Sequence, residues 1–149
     1  MSFPGGARPT LVRDAMLPAP TVHPPSAPVA HIRALLRDDH VHMALIVDRG
    51  RLVATVERQD LPSQDLDRVP ARSIGVLAGR TVPPDASLPE VAAAMRRAAR
   101  RRLAVVDSGG QLLGLLCLKA HGNGFCSADD VRERRESRDY SKRTLSATV

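Results

Sequence analysis

The chain has 149 residues, 43% hydrophobic and 26% charged, which excludes whole-chain disorder, and no apolar run approaches the roughly 18 residues that span a bilayer. Aromatics make up 2%, with no Trp, so base-stacking surfaces for single-stranded nucleic acid are not expected. The net charge of +6 is almost all arginine, since Lys119 and Lys142 are the only lysines, and it favours anionic partners such as phosphates.

Residues 1–10 read as a flexible leader without the apolar stretch of a secretory signal. With two cysteines and no disulfide framework, this points to a reduced, cytoplasmic setting. Leu11 to Leu17 forms a short element. Thr21-Val22-His23-Pro24 then opens a unit in which Val29, Ile32, Leu35 and Leu36 recur at helical spacing. The apolar run Met43 to Asp48, the turn Arg49-Gly50-Arg51 and the run Leu52 to Val56 read as a β-hairpin. A linker, Pro62 to Gly79, carries a second short element between Val69 and Leu77.

The pattern then repeats. Thr81-Val82-Pro83-Pro84 precedes a helix with Leu88, Val91, Ala92, Met95 and Ala99 on one face. Ser87 and Glu90 have capping-box spacing, and Pro89 sits early, where its missing N–H is harmless. Leu103 to Asp107, Ser108-Gly109-Gly110 and Leu112 to Leu116 predict a second hairpin. Beyond the turn Gly122-Asn123-Gly124, Ser127 starts a short polar helix over about 128–137, and 138–149 is a loose tail. The hairpin strands are apolar at nearly every position, so both faces of each sheet require cover. One unit alone cannot supply it; two packed together can.

These residues resemble a tandem pair of CBS domains. The lead-in is Val12-Arg13-Asp14-Ala15-Met16. The closing motif is Leu52-Val53-Ala54-Thr55-Val56-Glu57-Arg58-Gln59-Asp60-Leu61 in the first unit, and Leu112-Leu113-Gly114-Leu115-Leu116-Cys117-Leu118-Lys119-Ala120-His121 in the second. The resemblance covers roughly residues 11–121. It implies an α/β (α+β) fold of two pseudo-symmetric CBS repeats, each a small sheet with flanking helices. The expected limits are 11–62 for repeat 1, 63–126 for repeat 2 with its linker, and 127–149 for the short helix and tail. It also implies a homodimer resembling the stand-alone members, without enzymatic activity or a required cofactor. Such a module senses AMP, ADP or ATP in an inter-repeat cleft and regulates a partner protein that the sequence does not identify.

In this family the Thr and Asp of a final Thr-x-x-Asp bind sugar or phosphate. Asp60 matches the Asp of the first unit, but Glu57 stands in the Thr position. Cys117 and Ala120 replace both in the second unit, so at most one cleft keeps part of the motif. The competing reading of Asp60 is a cap for a helix beginning near Leu61. Val22, Met43 and Ala44, with their counterparts Val82, Leu103 and Ala104, are the candidates to lie against the base; core packing is the competing reading. Arg58, Arg80, Arg101 and Arg102 are the candidates to neutralise phosphate. The run Arg96 to Arg102 also reads as a solvated helix face with cations at its C-terminus.

Cys117, His121 and Cys126 lie close together in sequence, and His40 and His42 have strand spacing. There is no CxxC pair, so Cys117 reads as a packed thiol and no metal site is expected. No P-loop, nucleophile elbow or HExxH is present. Two alternatives to the nucleotide sensor stand: a degenerate pair that only assembles with itself or a partner, and an arginine-rich nucleic-acid binder. No helix-turn-helix, zinc finger or long basic helix supports the latter.

Overall fold

The computed structural model describes residues 10–120, 122 and 124–127. The leader up to residue 9, the expected helix near 128–137 and the tail lie outside the described residues.

The elements follow in chain order as helix α1 (Val12–Ala15), strand β1 (Leu17–Pro18), helix α2 (Val29–Leu35), strands β2 (Ala44–Asp48) and β3 (Arg51–Val56), strand β4 (Thr81–Val82), helix α3 (Leu88–Arg97), and strands β5 (Arg102–Val106) and β6 (Leu112–Cys117). Short 3-10 turns occupy Arg58–Asp60, Gln64–Leu66 and Ala71–Ile74. Both expected hairpins are present, each antiparallel and each with a register irregularity, between Ile46 and Val47 and between Val105 and Val106. The first turns through Arg49 and Gly50, both at positive φ (54° and 83°). That backbone matches the twist of the flanking strands.

The second unit's sheet has the order β1-β6-β5-β4, with β4 parallel to β5. The first unit repeats it with single bridges at the margins: His23 runs parallel to Ile46, and Val76 antiparallel to Thr55. The short elements therefore cross over. The segment ahead of the first unit (β1) pairs with the last strand of the second, Leu17 opposite Leu115. The linker in turn completes the first, with Ala71 buried in the core of Val29, Ile32, Ala44 and Ile46. Gly114 is needed where β1 crosses β6, because a Cβ there would stand 2.7 Å from the Leu17 carbonyl oxygen.

A second core gathers Val12, Val82, Leu88, Met95, Leu103 and Val105 around α3. A third joins the units through Met43, Leu45 and Leu52 against Ala104. The hairpin tips meet as well. The Leu52 N–H donates to the Gly110 carbonyl (3.0 Å), and the Leu112 N–H to the Gly50 carbonyl (2.9 Å). This reciprocal pair marks the pseudo-twofold. The apolar strands are thus covered on both faces, and at about 25 cal/mol per Å² that burial is the main favourable term holding the halves together.

Three local expectations are corrected. Ser87 makes no side-chain cap bond to α3; Pro89 early in the helix removes one N–H that would need a partner. The counterparts of Val82, Leu103 and Ala104 are His23, Ala44 and Leu45, not Val22, Met43 and Ala44, because His23 pairs with Ile46 as Val82 pairs with Val105 and the register irregularity follows each of those partners. A one-residue offset sends a side chain to the other face, and Val22 is 46% exposed. Cys117 is not a lone packed thiol: it forms a disulfide with Cys126, their Cα atoms 5.3 Å apart. The chain reverses between them, with Leu118 bridged to Phe125 and the Cys126 N–H donating to the Cys117 carbonyl at 2.7 Å.

Candidate functional site

Helix α3 ends in a way that decides where the arginine run goes. The Arg100 N–H donates to the Met95 carbonyl (2.8 Å) and the Ala99 N–H to the Arg96 carbonyl (3.2 Å), with Ala99 left-handed at φ 53°. This is a Schellman stop with alanine where glycine is usual. Arg96 and Arg97 stay in the last helical turn. Arg100, Arg101 and Arg102 follow the reversal and face the seam between the units.

There they line a cleft of about 320 Å³ with His42, Glu57, Arg58, Gln59, Ala98 and Ala99. Residues from both units thus form its wall, and among the described residues four arginines and one carboxylate line it. Arg58, in the 3-10 turn after β3, donates to the carbonyls of Leu36 (2.9 Å), Asp38 (2.7 Å) and Val41 (2.8 Å) beyond α2. Arg101 donates to the Leu118 carbonyl (3.3 Å), and its Nη1 lies 3.4 Å from Nε2 of His42. Arg102 is buried, with Nη1 donating to the Arg101 carbonyl at 3.1 Å.

The electrostatic consequence appears at His42. Burial, then the charges of Arg102, Arg101 and Arg58, push its imidazole down to about 4. It is neutral at pH 7 and can accept a hydrogen bond from Arg101. Burial, the first of these causes, disfavours a charge of either sign; it is the arginine charges, which come after it, that favour an anion.

At one edge of the cleft runs a chain of ion pairs. Arg100 Nη1 meets Glu57 Oε2 at 2.5 Å, tying the second unit to the first. Arg80, just ahead of β4, lies 3.4 Å from Glu57 Oε1 and grips both oxygens of Asp60 at 2.5 and 2.9 Å. Asp60 Oδ2 also accepts the Glu57 N–H at 2.7 Å. The carboxylate therefore holds the start of the Arg58–Asp60 turn; no helix begins at Leu61, and the next turn is Gln64–Leu66. Burial pushes the Asp60 carboxyl up, but its bonds to Arg80 and the Glu57 backbone outweigh this and hold it below its ordinary 3.8. The Asp60 bond raises Arg80 in turn.

Of the residues expected from sequence, Glu57, Arg58, Arg101 and Arg102 come together in this cleft, and Arg80 and Asp60 join them through Glu57. The six apolar candidates are not in its lining. Ala44 packs in the first core, Val82 and Leu103 in the second, Met43 and Ala104 in the third, and Val22 faces outward. His42, Gln59, Ala98, Ala99 and Arg100 were not among the nucleotide-site candidates. The signal for His42 lies in the repeat: in the register that matches His23 with Val82, His42 is the counterpart of Arg101. The disulfide takes up both Cys117 and Cys126, His121 lies outside the described residues, and among the described residues no group of three or more His, Cys, Asp or Glu is placed to hold a metal. Nor is any described helix long and apolar enough to cross a membrane.

A sequence model of the CBS domain matches residues 76–120. No curated protein matches the chain by sequence. Among solved structures, AcuB from Vibrio cholerae is similar at 23% identity and a TM-score of 0.61, over 72% of this chain and 83% of that one. The cystathionine beta-synthase pair domain of SO5017 from Shewanella oneidensis MR-1 is 22% identical, with a TM-score of 0.64, over 87% of this chain and 74% of that one. The CBS domain of a bacterial CNNM/CorC family Mg2+ transporter, solved in complex with ATP, is 23% identical with a TM-score of 0.56, over 73% and 82% of the two chains. Residues 76–120 are therefore a CBS domain, and the whole described chain has the mixed α+β fold of a CBS pair, as the repeat in its sequence predicts.

Proposed function

We propose that this CBS regulatory module binds an adenine nucleotide with its phosphates in the cleft lined by Arg58, Arg100, Arg101 and Arg102. The observation that carries the reading is the convergence of these arginines, from both units, on a space where His42 is kept uncharged. Guanidinium groups are the side chains best matched to a polyphosphate. The similarity to a CBS domain solved with ATP supports the nucleotide class. Regulation follows by linkage: a ligand touching both units favours the unit arrangement it fits best, and a partner protein reads that arrangement. Assembly as a homodimer, without catalysis, belongs to the same proposal.

Thermal unfolding of the full chain with AMP, ADP or ATP tests it. The melting temperature should rise with nucleotide concentration by mass action, and Arg101→Ala should remove most of the rise. No shift with any of the three would overturn the reading. A degenerate module that only assembles would then stand. The sealing of Asp60 by Arg80 favours that second reading, and a stable dimer in sedimentation would support it.

A further inference from the structure

We propose that the cleft recognises the phosphate chain of its ligand and not the nucleoside, because Arg80 occupies the carboxylate that would otherwise hold a ribose. This rests on the cleft being the nucleotide site proposed above, and it names which part of the ligand is read.

A ribose diol needs both oxygens of a carboxylate to accept from two neighbouring hydroxyls. In Asp60, Oδ1 accepts from Arg80 Nη2, while Oδ2 accepts from Arg80 Nη1 and from the Glu57 N–H, so of the roughly four acceptor positions of a carboxylate only one, on Oδ1, is left for a diol that needs two. The guanidinium fork thus sits where the diol would. Glu57 offers no substitute. Its Oε1 accepts from Gln59 Nε2 at 2.7 Å and lies 3.4 Å from Arg80, and its Oε2 is held by Arg100.

The base fares no better. Among the described residues, the only apolar side chains lining the cleft are Ala98 and Ala99, too little surface to enclose a purine in the mostly apolar lining typical of ligand pockets. The remaining wall is cationic or polar. The ligand class is therefore an oligophosphate anion: a nucleoside di- or triphosphate with its nucleoside outside the cleft, or inorganic polyphosphate.

Isothermal titration of the full chain with ATP, inorganic tripolyphosphate and adenosine separates these sources. ATP and tripolyphosphate should bind with dissociation constants within about threefold of each other. Adenosine should not bind, and Arg101→Ala should weaken both anions by a similar factor. ATP binding about tenfold or more tighter than tripolyphosphate, or adenosine displacing ATP, overturns this inference and leaves the nucleotide reading standing. Tripolyphosphate binding without ATP overturns the nucleotide reading and leaves the phosphate reading. Silence from both overturns both.

Arg80→Met frees Asp60 from the fork, so ATP should gain about tenfold over tripolyphosphate; an unchanged ratio overturns the role given to Arg80. Should that variant not fold, Arg80→Lys reads the same ratio, since it keeps the charge and loses the fork.

Discussion

Removing the Asp60 carboxylate tests the ion-pair chain directly. The Asp60 and Arg80 side chains are 10% and 7% exposed, so water does little to replace a lost partner. Breaking one side of a buried, bidentate pair costs about 3–5 kcal/mol, because the remaining charge is left uncompensated. Here Arg80 would keep Glu57 at 3.4 Å and the Thr55 hydroxyl and carbonyl at 3.4 and 3.5 Å. The cost of Asp60→Ala should therefore fall at the lower end, about 3 kcal/mol, or a drop in melting temperature of roughly 10 °C for a domain of this size. Urea unfolding followed by far-ultraviolet circular dichroism measures it. The double variant Asp60→Leu/Arg80→Met should recover most of the loss, since an apolar pair can replace a buried ion pair at little cost. The pH dependence has a definite sign. Asp60 is held below its ordinary value in the folded protein, so its contribution is present above the unfolded value near 4 and is lost as pH falls through the folded one. The gap between wild type and Asp60→Ala should be full at pH 7 and narrow below about pH 4. A loss under about 1 kcal/mol, or two single-variant losses that simply add, would refute the assignment of Asp60 and Arg80 as a coupled buried pair.

Two further outcomes follow from the same structure. His42 is depressed to about 4, so between its unfolded value near 6.5 and pH 4 the unfolded state binds a proton that the native state does not, and stability declines as pH falls through that window. His42→Gln should flatten this decline in unfolding curves between pH 7 and pH 4; an unaltered slope counts against a histidine kept neutral by its burial and the arginines beside it. The Cys117–Cys126 disulfide closes a loop of sequence separation 9, for which the loss of chain entropy on cross-linking corresponds to about 2–3 kcal/mol. Cys117→Ser/Cys126→Ser should lose about that much in non-reducing urea melts, while a loss near zero, or free thiols in the purified native protein, would contradict the pairing.

The architecture was legible along the chain because it is written in local patterns. The turn residues Arg49-Gly50 and Ser108-Gly109-Gly110 sit between apolar runs, and Val29, Ile32, Leu88 and Met95 recur at helical spacing, so the two hairpins and their helices follow from periodicity and turn chemistry. Repetition of that pattern was enough to require a shared interior. What periodicity does not encode is which distant groups meet. The exchange of Leu17 and Val76 between units, and the register that makes His23 the partner of Ile46, are long-range pairings. The fate of the arginine run is the same kind of problem. As sequence, Arg96 to Arg102 is a basic helix face as readily as a site; only the stop at Ala99 sends its second half into the seam. Asp60 shows the limit most clearly. Its place in a motif marks it as a sugar or phosphate ligand or as a cap, but the fold sets a buried guanidinium against it from a residue 20 positions away, and with the Glu57 N–H also bound too few acceptor positions remain for a ribose diol.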